Sequence, residues 1–226
     1  MRLIFGNKDL MEKRATHLIE SKIKALLEEK EHVVLGIPGG TSVPGIFKRF
    51  LDSKIPWKKV HIFLVDDRKV AIFDSESNFK LARSSFLKEL LEKRKIKKEN
   101  IHAYNFQEPV SKYTKELKKY GGKFDIVLLS AGEDGHVASL FPKHRSIKSS
   151  SPYYIDVKNS SKPPKDRISA SYSLLTKSKL SILLFFGEKK KEAYEKFINP
   201  KLKVKDVPAK LVNRIKESYV LTNIQS

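Results

Sequence analysis

Cysteine is absent from this chain, which excludes disulfide bridges and thiolate metal sites and fits a reducing compartment. Long apolar runs are absent as well. The longest, ILLFF at Ile182 to Phe186, has the length of a strand, well short of the ~18 residues that a membrane span needs. The start of the chain, MRLIFGNKDLMEKR, has only a brief apolar run before charge resumes. A signal peptide needs a longer apolar region and a cleavage site. These absences lead to the expectation of a cytoplasmic protein with no membrane partner. Acidic residues are scarce, 26 against 46 basic ones, for a net charge of +20. Such an excess raises the question of nucleic acid. No nucleic-acid-binding motif is present, however, and the basic clusters, such as KKYGGK and EKKKEAYEK, lack the interleaved aromatics that base stacking requires. The excess reads as a lysine-rich solvated surface whose field favours small anions, with no nucleic-acid partner expected.

What is present is an alternation of strand and helix patterns. With 226 residues, 40% of them hydrophobic, the chain can build a sizeable core. Strands are expected at Arg2–Phe5, His32–Ile37, Val60–Val65, Ile101–Tyr104, Phe124–Ser130, Tyr153–Val157, Arg167–Ser171, Leu180–Phe186 and Tyr219–Leu221. Helices are expected over Lys8–Lys30, Gly45–Leu51, Ser77–Leu91, Val110–Tyr120 and Val207–Lys216, with another Lys-rich helix after Gly187. Such alternation implies an α/β fold, a mostly parallel twisted sheet covered by helices on both faces. No internal repeat or linker interrupts it, so a single domain over 1–226 is expected.

Phe124 to Pro142, FDIVLLSAGEDGHVASLFP, is the most informative segment. An apolar strand stops at Ser130, and a turn rich in Gly and acid carries Asp134 and His136. Ligands of open α/β sheets bind beyond the carboxyl ends of the strands. A His there can accept or give a proton, and a carboxylate beside it can orient the ring. By itself the tripeptide reads more readily as a capping Asp and a packed His. The turn PGGTSVP, Pro38 to Pro44, joins a strand to a helix. Its glycines let backbone N–H groups approach an anion, although an ordinary tight turn has the same composition. VDDRKV, at Val65 to Val70, also ends a strand and reads alone as a salt-bridged turn.

In order and rough spacing these segments resemble the 6-phosphogluconolactonases, within the glucosamine-6-phosphate isomerase/6-phosphogluconolactonase family. GEDGHVASLFP is similar to the family's G-x-D-G-H-x-A-S-L-F-P, PGGTSVP to S-G-G-S-T-P, VDDRKV to V-D-E-R-x-V, SNF to S-N-Y, PPKDRIS to P-P-x-x-R-I-T, and GEKK to G-x-x-K. The chain departs from these patterns at Pro38, at an inserted Val43, at Asp67 for Glu, at Phe79 for Tyr and at Ser130 for Gly. The related glucosamine-6-phosphate deaminases share D-G-H but carry a Glu five residues after the His, where this chain has Phe141.

The resemblance implies a sugar-phosphate isomerase/deaminase type of α/β fold and hydrolysis of 6-phospho-D-glucono-1,5-lactone, without metal or other cofactor, by a monomer. It implies His136 and Asp134 as catalytic residues. It implies Gly39, Gly40, Thr41, Asp66, Arg68, Asn78, Arg167 and Lys190 as substrate-binding residues, with Lys189 and Lys191 as neighbours of the last. Arg suits bidentate phosphate recognition and Lys supplies a point charge. A deaminase or a non-catalytic sugar-phosphate-binding protein on the same scaffold is the alternative.

Overall fold

The computed structural model describes residues 1–224. The chain opens with β1 (Arg2–Phe5) and α1 (Lys8–Leu27), the helix capped by Asn7, whose side chain accepts from the Leu10 N–H. β2 (Val33–Ile37) leads through the glycine turn into α2 (Pro44–Phe50), and β3 (Val60–Leu64) runs into β4 (Asp66–Arg68). One helical stretch follows, made of α3 (Asn78–Ala82), a π turn at Arg83–Leu87 and α4 (Lys88–Glu92). Then come β5 (Ile101–His102), α5 (Val110–Lys118), β6 (Ile126–Ser130), β7 (Tyr154–Val157), β8 (Arg167–Ala170), α6 (Tyr172–Thr176), β9 (Leu180–Phe185), α7 (Lys191–Ile198) and β10 (Glu217–Thr222).

Seven strands form one parallel sheet in the order β1-β10-β9-β6-β2-β3-β5. Its central strands are almost wholly buried, which explains why they read as continuous apolar runs. Alternate side chains serve two separate cores. Val33, Leu35 and Ile37 pack with Ile126, Leu128, Ile182 and Leu184 beneath α1 to α4. Val34, Phe63, Val127, Leu129, Leu183 and Phe185 pack beneath α5, α6, α7 and the 3-10 segment Pro208–Arg214. The expected α/β architecture, with helices on both faces, is the one observed.

The differences are local. The candidate strands near Tyr153 and Arg167 do not join the main sheet. They pair with β4 in a separate antiparallel sheet of order β4-β8-β7. Val65 is the junction, its N–H donating to Ile37 of the main sheet and its carbonyl accepting from Ala170 at 2.7 Å. VDDR is therefore a short strand rather than a turn. The expected last helix is a 3-10 segment, Pro208–Arg214.

β2 continues to β3 on one side of itself, while β6 lies on its other side. That reversal is the switch point where open α/β sheets leave a crevice beyond the strand ends. The turns after β2, β3, β6 and β9 all open onto it.

Candidate active site

Those four turns enclose a cleft of about 280 Å³. Gly39, Gly40, Thr41, Asp66, Arg68, Asn78, His136, Arg167 and Lys190 all line it, so every expected site residue except Asp134 reaches one cavity. Asp134 stands behind His136. Ser130, Glu133, Ala138, Lys162 and Pro163 also line the cleft and were not expected there as site residues.

The His136 turn is closed by backbone bonds from Gly132 N–H to the His136 carbonyl, 2.8 Å, and from Gly135 N–H to the Gly132 carbonyl, 3.0 Å. Gly135 has φ +84° and sits against Val207, a position that suits only glycine. The imidazole lies flat against Gly132. A Cβ there would come within 2.0 Å of the ring's Cε1 and 2.1 Å of Nδ1. The Phe141 ring lies 4.5 Å from the imidazole on another side. Nδ1 is 2.5 Å from Asp134 Oδ1, and the same oxygen accepts the His136 N–H at 3.1 Å. Burial acts to raise the Asp134 carboxyl, but the hydrogen bonds and charge of His136 outweigh it and hold the group below its ordinary value. An ionised carboxylate can only accept, so Nδ1 carries a proton, and in the neutral ring Nε2 presents a lone pair. Among the described residues Nε2 has no hydrogen-bond partner. The ring is partly exposed to the cleft.

Asp66 and Asp67 face opposite ways, as successive strand residues must. Asp66 is held by Ser139 Oγ at 2.7 Å and by the Asn78 side-chain amide at 3.3 Å, with its carboxylate at the cleft floor. Asp67 turns from the cleft and accepts the N–H groups of Arg68, Asn78 and Phe79 and the hydroxyl of Ser77. It thus caps α3 together with Ser77. Burial pushes Asp67 up to about 6 against those bonds.

Arg68 and Arg167 are direct register partners across β4 and β8. Like charges placed directly opposite one another in a sheet repel. Arg68 donates to the Glu76 carbonyl and lies 3.9 Å from its carboxylate, while its buried Nε has no partner. Arg167 donates from Nε to Pro164 and from one terminal nitrogen to Lys162 and Pro163, all carbonyls, and stacks over Phe141. Two cations crowded on one wall suit an anion between them.

The glycine turn also lines the cleft. A Cβ on Gly39 would fall 1.8 Å from Asn78 Oδ1, and Gly40 has φ +91°. The N–H groups of Gly39, Gly40 and Thr41 have no acceptor among the described residues. Thr41 is exposed at the cleft, whereas Ser42 is buried and turned inward. Lys190 is buried between exposed Lys189 and Lys191. It donates to Ser42 Oγ at 2.7 Å and Ser130 Oγ at 3.0 Å. Burial pulls it down to about 8. Ser42 and Ser130 lie far from Lys190 in sequence, and only the departure of Ser130 from the Gly of similar chains marked that position. No group of three or more His, Asp or Glu suited to a metal ion occurs among the described residues, and no helix there is long and apolar enough to cross a membrane.

A family model for glucosamine-6-phosphate isomerases/6-phosphogluconolactonase matches residues 6–221. A 6-phosphogluconolactonase of Borreliella burgdorferi is 33% identical over 204 residues, covering 88% of this chain and 87% of that protein. A 6-phosphogluconolactonase of Thermotoga maritima is 29% identical over 176 residues, covering 76% and 77%. The crystal structure of a Thermotoga maritima 6-phosphogluconolactonase superposes with a TM-score of 0.84 over 98% of each chain, at 23% identity. A monomeric glucosamine-6-phosphate deaminase superposes almost as well, with a TM-score of 0.82 over 99% of this chain and 97% of that one, at 19% identity. The shared fold therefore does not separate the two activities. The chain belongs to the glucosamine-6-phosphate isomerase/6-phosphogluconolactonase family.

Proposed function

We propose that this chain is a 6-phosphogluconolactonase, hydrolysing 6-phospho-D-glucono-1,5-lactone to 6-phospho-D-gluconate as a step of the oxidative pentose phosphate route. The observation that carries the reading is the His136–Asp134 pair, with Nε2 unpartnered at a cleft that two crowded arginines also line. The curated relatives named above support the substrate. A lactone is an activated ester, so a positioned base suffices to begin its hydrolysis. His136 Nε2 takes a proton from water as the water oxygen bonds to C1. The C1 carbonyl becomes an oxyanion. Its collapse breaks the bond from C1 to the ring oxygen, which receives the proton from His136. A positioned acid–base group of this kind contributes roughly 10²–10⁴-fold. The open N–H groups of Gly39, Gly40 and Thr41 are the donors available for negative charge. Arg68, Arg167 beside it and Lys190, which lines the same cleft, would hold the phosphate and so convert remote binding energy into orientation at C1.

Phe141 argues against the deaminase alternative. Where those enzymes place an acid, this chain has a buried ring packed on His136 and beneath Arg167. The test is turnover of freshly generated lactone, corrected for spontaneous hydrolysis, beside ammonia release from glucosamine 6-phosphate. Lactone turnover without ammonia is expected. Ammonia release without lactone turnover would overturn the reading.

A further inference from the structure

Lys190 is a buried ammonium without a carboxylate partner among the described residues. It has three N–H donors, of which two go to hydroxyls, Ser42 Oγ and Ser130 Oγ. Those hydroxyls stand on different elements, the turn after β2 and the end of β6, so together they fix the ammonium in two directions. Ser42 is fully enclosed, whereas Ser130 borders the cleft and its Oγ lies 3.8 Å from where a Cβ on Gly40 would be.

We propose that Ser130 is a positioning residue that, with Ser42, holds the Lys190 ammonium so that its remaining N–H meets an anionic oxygen of the substrate, and thereby sets how far into alkaline pH substrate is captured. The inference rests on the lactonase reading for its substrate but not for the socket itself. A hydroxyl that accepts from an ammonium favours the charged form, offsetting burial, which pulls the group down. The charged groups acting on Lys190 are Glu133, from the loop after β6, which favours the ammonium, and Lys8, from the start of α1, which opposes it. Asp66, Arg68, His136, Lys162 and Arg167 line the same cleft. None of them is hydrogen-bonded to Lys190, so the two hydroxyls are its direct partners.

The test compares the parent with Ser130→Ala and Ser130→Thr. Ser130→Ala is expected to raise KM about 5-fold, the size of one net hydrogen bond, with the loss in KM rather than kcat. It should also move the alkaline limb of kcat/KM to lower pH. Ser130→Thr keeps the hydroxyl and should restore both. Parent-like KM and an unmoved limb in Ser130→Ala would overturn the proposal. So would a collapse of kcat at unchanged KM, which would mark Ser130 as a participant in the chemistry. If the parent itself fails to turn over lactone, titration calorimetry with 6-phosphogluconate at pH 7 and 9 decides. Weaker binding by Ser130→Ala than by the parent, with affinity falling earlier as pH rises, supports the socket. Equal binding by the two at both pH values overturns it.

Discussion

Gly132→Ala tests the placement of the base without touching the base. The backbone of Gly132 is not in the left-handed region, so alanine brings no conformational strain of its own. The whole effect falls on His136. The added Cβ would sit 2.0 Å from Cε1, 2.1 Å from Nδ1 and 2.7 Å from Nε2. An ordinary carbon contact needs about 3.5 Å, so the imidazole must retreat by about 1.5 Å. Phe141 blocks one direction of retreat, and the bond to Asp134 must stretch or break in others. A misplacement of about 1 Å costs on the order of 10²-fold in rate. The expected result is therefore a fall in kcat of about 10²-fold or more. Melting temperature should change little, because the ring is partly exposed and can swing outward. Initial rates on freshly generated lactone, corrected for spontaneous hydrolysis, give the number, and circular dichroism controls for folding. The double variant Gly132→Ala/His136→Ala should be no slower than His136→Ala alone, because both act on one group. A Gly132→Ala enzyme within threefold of the parent rate would refute the reasoning, since the ring could then leave its seat without consequence.

Other outcomes follow from the same geometry. Arg68→Ala should raise KM more than Arg167→Ala does, because Arg68 has an unpartnered Nε while Arg167 is committed to three carbonyls. Arg167→Ala should instead show the larger fall in thermal midpoint. Gly39→Ala would drive a Cβ into Asn78 and disturb its bond to Asp66, so KM should rise with His136 intact, measured as kcat/KM against kcat. A loss of stability in acid is expected from the β3–β5 edge of the sheet. There His61 Nδ1 and His102 Nε2 lie 3.0 Å apart, and burial pulls both groups down to about 4. A histidine whose folded value is depressed leaves stability intact above its unfolded value of about 6.5 and loses it as pH falls toward 4. His102→Gln should therefore flatten the fall in urea midpoint between pH 6.5 and 4, and a parent-like slope would remove the pair from that role.

Much of the cleft was legible because it is local in sequence. The turns after β2, β3, β6 and β9 each directly follow a buried strand, and an apolar run ended by glycine, acid or a small residue marks that boundary without knowledge of the rest of the chain. His136 and Asp134 are two residues apart, so their pairing is a property of one turn. Lys190 stands out from its neighbours in the structure because the 3-10 turn at Glu188–Lys190 directs only that lysine inward, a difference that composition cannot express. The small antiparallel sheet was not legible. Its first strand, Asp66–Arg68, is short and charged, and what makes it a strand is pairing with Arg167–Ala170, about a hundred residues later. The same distance hid the opposition of Arg68 and Arg167. The sockets of Lys190 on Ser42 and Ser130 span 148 and 60 residues, and no local pattern announces them. The end of the chain failed for a different reason. Val207 to Lys216 carries helical spacing, but Val207 packs on Gly135 and Ala209 donates to the Gly135 carbonyl, and the segment winds as a 3-10 turn.

The most direct measurement is kcat/KM for freshly generated 6-phosphogluconolactone in His136→Gln, with folding verified and spontaneous hydrolysis subtracted. A general base at Nε2 predicts a loss of about 10²–10⁴-fold, with binding of 6-phosphogluconate largely retained. A variant that keeps most of the parent's catalysed rate would contradict the account.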